Sequence, residues 1–65
     1  MINKGDTVQV IVEGKFKGQI VKVLSVEGRR MRGKEKRAYK LDVKWDDWPR
    51  PSYFTEDEFV IVEHQ

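Results

Sequence analysis

Apolar and polar residues alternate with a period of two along several stretches of this chain, and segments rich in glycine, proline or charge separate them. Residues 7–12 set Val8, Val10 and Val12 against Thr7, Gln9 and Ile11. Such alternation marks a strand with one buried and one wet face. A second strand follows at about residues 19–26. Between the two, Gly14 and Gly18 bracket Lys15, Phe16 and Lys17, so the spacing predicts an antiparallel pair whose connecting turn is basic and carries one aromatic. Residues 38–45 alternate again, with Tyr39, Leu41, Val43 and Trp45 predicted to face the core and Ala38, Lys40, Asp42 and Lys44 to face water.

The intervening segments break the period. Residues 27–37 lose apolar periodicity and contain Gly28 and Gly33, which predicts a loop or a flexible hairpin tip. Residues 46–51 hold Pro49 and Pro51, which keep the backbone extended and remove two ladder donors, so a turn is expected. Residues 52–55 suit a short fourth strand. Thr55 followed three residues later by Glu58 has the capping-box spacing, but one turn is all that fits before residues 59–63, so a 3₁₀ turn precedes the fifth strand. The expected fold is all-β: a small five-stranded SH3-like barrel with a short 3₁₀ turn before the last strand, in a single domain spanning residues 1–65. Closing the sheet removes exposed edges and lets one layer of side chains fill the interior. An OB-type barrel competes, but it needs more residues and a helix that no segment here supplies.

Composition narrows the functional classes. The chain has 65 residues and no cysteine, so its core is near the lower limit for independent folding and has no disulfide or thiolate metal site to support it. A reducing, cytoplasmic setting suits such a chain. The start of the chain carries no apolar segment of signal type and no window reaches membrane-spanning length, so a soluble, unprocessed protein without membrane contact is expected. The charge is mildly basic overall but uneven. Residues 1–45 carry twelve basic and five acidic residues, a net of +7, while residues 46–65 carry one basic and six acidic, a net of −5. His64 is the only histidine, and its position reads as a solvated group.

Lys4, Gly5, Asp6, Thr7, Val8, Gln9 and Val10, then Gly14, Lys15, Phe16, Lys17 and Gly18, then Lys22, Val23 and Leu24, resemble the KOW motif of SH3-like domains in ribosomal large-subunit proteins and transcription elongation factors. The resemblance covers residues 4–24. It departs from the motif at Val21, where the family commonly has glycine, and in the spacing from Val10 to Gly14, which is one residue longer. It implies RNA binding, or docking on RNA polymerase or the ribosome, and it implicates the turn from Gly14 to Gly18.

Two further clusters carry chemistry. Arg29, Arg30, Arg32, Lys34, Lys36 and Arg37 put six cations and one acid, Glu35, into nine residues. They read as a phosphate-contacting arm that releases counterions on binding, as a solvated loop protecting a sheet edge, or as a steering surface for an acidic protein. Phe16 between Lys15 and Lys17 could stack a base or fold back to cap the barrel. Trp48, Pro49, Arg50, Pro51 and Tyr53 form an aromatic and proline-rich rim, with Trp48 expected to be partly exposed and a candidate interface anchor. Trp45 and Phe54 are expected in the core.

Catalysis finds no support. Asp46, Asp47, Glu56, Asp57 and Glu58 match neither a calcium loop nor a paired-carboxylate cleft, and no nucleophile–histidine set, P-loop or dinucleotide fingerprint is present. The expected function is a non-catalytic monomeric binding module without cofactor or metal. Its partner is RNA, or nucleic acid generally, or a component of the transcription or translation machinery. Nucleic acid would meet Lys15, Phe16, Lys17, Arg29, Arg30, Arg32, Lys34, Lys36 and Arg37. In the alternative, a protein-interaction adaptor works through Trp48, Arg50 and Tyr53 without touching nucleic acid.

Overall fold

Val8 and Val10 alternate with Thr7 and Gln9 along β1 (Thr7–Val10), and the buried and half-buried classes alternate with them. A computed structural model describes residues 2–31 and 34–65, with the backbone alone described at residues 29–31 and 34–36. Six more strands follow β1: β2 (Ile20–Met31), β3 (Lys34–Leu41), β4 (Lys44–Trp45), β5 (Trp48–Pro49), β6 (Ser52–Phe54) and β7 (Phe59–Glu63). The fold is all-β. Five strands form one antiparallel sheet in the order β6-β3-β2-β1-β7, and β4 and β5 form a separate two-stranded hairpin. A 3₁₀ turn at Glu56–Glu58 precedes β7, as the capping-box spacing predicts. The Thr55 N–H donates to Glu58 Oε1 at 2.9 Å and the Thr55 hydroxyl to the same oxygen at 3.1 Å.

The core is one cluster of Val8, Val10, Val23, Tyr39, Leu41, Val43, Phe54 and Phe59, with Ile2, Val12, Phe16, Val21 and Ile61 packed against it. Tyr39 meets Phe59 edge to face at 5.4 Å, and its hydroxyl leaves the core to donate to Glu56 Oε1 at 2.5 Å. Burial, then the Glu56 carboxylate beside it, raises the Tyr39 phenol above its usual range.

Three expectations need correction. Of the loop or hairpin tip expected at residues 27–37, the described residues form the arms of a hairpin rather than a loop: β2 and β3 pair Glu27 with Ala38, Gly28 with Arg37, Arg29 with Lys36, Arg30 with Glu35 and Met31 with Lys34. Apolar alternation detects only strands with a dry face, whereas ladder hydrogen bonds can carry a ribbon out into water. Arg32 and Gly33 lie outside the described residues.

Trp45 is not core but half-exposed. The chain leaves the main sheet after Leu41, buries Val43, and turns into the β4–β5 hairpin. Residues 46–51 therefore contain a strand, β5, paired with β4, as well as a turn. Asp46 and Asp47, at φ 48° and 70°, form the two-residue connection, the pair of left-handed residues that suits the twist of a tight hairpin.

Ala38, expected on the wet face, is fully buried. Tyr53 on β6 reaches across β3 to donate its hydroxyl to Glu27 on β2 at 2.9 Å. Ala38 is registered against Glu27, and Tyr53 against Lys40 two residues along β3, so this bridge passes over the Ala38 position.

Candidate functional site

The loop between β1 and β2 closes on itself before it presents any side chain. Gly18 N–H donates to the Val10 carbonyl at 2.8 Å, Lys17 N–H to Gly14 at 3.3 Å, and Gln19 N–H to Phe16 at 3.1 Å. Gly14 and Gly18 have φ of +143° and +91°, values that side chains disfavour, so the two glycines permit this tight double turn. Phe16 is half-buried. Its ring packs edge to face against Trp45 and against Phe54, both at 6.1 Å between centroids. The basic tip is thereby anchored to the core.

Gln19, which nothing in the chain's pattern marks, holds the second half of the site. Its side-chain amide accepts from the Lys44 N–H at 2.8 Å and donates to the Lys44 carbonyl at 2.5 Å. One side chain thus substitutes for a neighbouring strand and docks β4 beside the turn. Arg50 N–H closes the other end on the Val43 carbonyl at 2.9 Å.

The outcome is a cationic aromatic cluster. Lys15 Nζ lies 4.4 Å from the centre of the Trp45 ring and the Arg50 guanidinium carbon lies 5.2 Å from it, both within cation–π range. Lys17 forms an ion pair with Glu13, which offsets its charge. Trp48 projects beyond this cluster with 77 % of its surface exposed.

The sequence-predicted residues therefore separate into distinct places. Lys15, Phe16 and Arg50 converge on Trp45, joining the turn to one residue of the rim. Tyr53 is half-buried on the sheet, bonded to Glu27 and with Lys40 Nζ 6.0 Å from its ring centre. Arg29, Arg30, Lys34, Lys36 and Arg37 lie on the β2–β3 ribbon. Arg32 falls outside the described residues.

No family model, curated protein or solved structure matches this chain.

What the arrangement can do follows from its chemistry. Among the described residues, no buried side-chain nitrogen or oxygen lacks a hydrogen-bond partner, and no three acidic or histidine residues converge where they could hold a metal ion. No helix of the described residues is long and apolar enough to cross a membrane. Asp6, the most enclosed carboxylate among the described residues, is held at both oxygens: it accepts from the Asn3 and Gln65 backbone N–H groups, each at 2.9 Å, and meets His64 Nδ1 at 3.2 Å. The Gln65 amide, ahead of the Asn3 amide and His64, holds its carboxyl below the usual 3.8. That is a structural carboxylate tying the ends of the described chain together.

Proposed function

We propose that this chain is a non-catalytic binding module for nucleic acid, built as a small SH3-like barrel. RNA is the form that the KOW-like residues 4–24 imply, and the alternative docking partner is a component of the transcription or translation machinery. Sheet order β6-β3-β2-β1-β7 with a 3₁₀ turn before β7 supports the barrel reading. One observation carries the function: Arg29, Arg30, Lys34, Lys36 and Arg37 stand on paired β-strands rather than on a loop. A loop would have to be ordered on binding, at roughly 1–2 kcal/mol per residue of backbone. A paired ribbon has already met that cost, so the gain from phosphate neutralisation is not consumed in ordering the chain. Lys15 and Arg50 around Trp45 supply a second cationic point.

The test is titration with single-stranded RNA over a range of salt. Affinity should fall linearly on logarithmic axes as salt rises. Charge reversal at Arg29, Arg30 and Arg32 should abolish binding while circular dichroism stays unchanged. An amide NMR spectrum unmoved by RNA or DNA at low salt would end the proposal.

Trp48 favours a second reading. A tryptophan with 77 % of its surface in water beside Arg50 fits an interface anchor for a protein partner. On that reading Trp48→Ala costs far more affinity than reversing the ribbon's charge, and association survives nuclease.

A further inference from the structure

We infer that the nucleic acid this module takes is B-form duplex DNA, with the β2–β3 ribbon lying in the major groove. The inference rests on the nucleic-acid reading above and puts duplex DNA in place of the RNA that the KOW-like residues imply. β1 pairs with β2 only at Ile20, Val21 and Lys22, and β6 pairs with β3 only at Tyr39, Lys40 and Leu41. From Glu27 and Ala38 outward the sheet is two strands wide, as far as Met31 and Lys34. Four steps of about 3.4 Å make this a ribbon of about 14 Å, longer than the roughly 8.5 Å depth of a B-form major groove. That groove, about 12 Å wide, admits a two-stranded ribbon. The deep major groove of A-form RNA is too narrow to do so.

Register adds a charge argument. Successive residues of a strand belong to opposite faces. One face holds the positions Arg29, Met31, Lys34 and Lys36, and the other holds Gly28, Arg30, Glu35 and Arg37. Cationic positions thus occur on both faces, as a groove walled by phosphates on two sides requires. Arg29 is registered against Lys36, and like charges directly opposite each other are unfavourable in a sheet.

The aromatic residues point the same way. A single strand is gripped by exposed aromatic faces on which bases stack. Phe16 is held by its edges, Lys15 and Arg50 stand over Trp45, and Tyr53 is tied to Glu27. Trp48 alone among the described aromatics is largely exposed.

The experiment compares three labelled probes of one 20-nucleotide sequence, as DNA duplex, RNA duplex and single-stranded RNA, by fluorescence anisotropy across a salt series. The expected result is at least tenfold tighter binding to the DNA duplex, with displacement by the major-groove ligand methyl green and none by the minor-groove ligand netropsin. Replacing Arg29 and Lys36 together (R29Q/K36Q) should make the salt slope shallower by about 1.8, at about 0.9 per lost phosphate contact. Should that variant fail to fold by circular dichroism, Arg30→Gln serves instead, with an expected change of about 0.9. Equal affinity for the three probes with a steep salt slope would overturn the groove assignment and leave the general polyanion reading standing. Preference for either RNA would do the same. Binding to none of the three would remove both.

Discussion

Removing the amide of Gln19 is the sharpest test of how this chain assembles its aromatic cluster. The Gln19 side chain makes two hydrogen bonds to the backbone of Lys44, at 2.8 Å and 2.5 Å, and they join the β1–β2 turn to the β4–β5 hairpin. A neutral hydrogen bond contributes about 0.5–1.5 kcal/mol net. Both of these are open to solvent, so water recovers part of the loss, and Gln19→Ala should cost about 1–2 kcal/mol. A 65-residue domain has roughly 3–10 kcal/mol of stability in total, so this is a large share. Chemical denaturation should show the loss directly, and the thermal midpoint should fall by about 4–15 °C. Hydrogen exchange at the Lys44 amide should accelerate, and the Trp45 indole resonance should move because Lys15 and Phe16 lose their fixed distance from it. Gln19→Glu supplies a control. A carboxylate can still accept from the Lys44 N–H, but it sets a second oxygen against the Lys44 carbonyl, so it should be no better than alanine. Gln19→Ala within about 0.3 kcal/mol of the parent with unchanged Lys44 exchange, or Gln19→Glu as stable as the parent, would refute the clasp.

Three other perturbations have defined outcomes. The Asp6 carboxyl lies below its usual 3.8 in the folded protein, so the unfolded chain takes up the proton first as pH falls. The stability it contributes is present above about 3.8 and is lost as pH drops from there through the folded value; Asp6→Asn should flatten this acid limb of a stability–pH curve. Gly5 has φ +93° and a Cβ there would lie 1.6 Å from Gln65 Oε1. The clash is with a movable side chain but the backbone strain is not, so Gly5→Ala should cost about 1–2 kcal/mol in denaturant, and should still do so in a Gln65→Ala background. Tyr53→Phe keeps the ring and removes the hydroxyl from Glu27, for which a loss of about 1 kcal/mol in denaturant unfolding is expected.

Much of the fold is legible in the chain because a buried face writes its period into the residues. Val8 and Val10, and Tyr39, Leu41 and Val43, alternate with polar neighbours and are buried as that alternation requires. Thr55 and Glu58 announce the 3₁₀ turn by spacing alone. The strand pairing of residues 27–31 with 34–38, in a segment expected as a loop or hairpin tip, escaped because polar and charged residues fall on both faces, so ladder hydrogen bonds are present with no apolar pattern to report them. Gln19 escaped for a related reason: an amide that docks a distant hairpin depends on a neighbour 25 residues away, and no local rule marks it.

By itself the chain determined the all-β class, the glycine-bracketed basic turn, the inward rows of β1 and β3, and the crowding of cations before residue 38. Those are local properties, fixed by side-chain period and by which residues tolerate sharp turns. Only the tertiary structure decided that Trp45 leaves the core to lie beneath Lys15 and Arg50, that Tyr53 bridges to Glu27, and that Arg29, Arg30, Lys34, Lys36 and Arg37 stand on a two-stranded ribbon. Each of those depends on pairing between distant segments, and the register of that pairing is settled by packing the whole core at once.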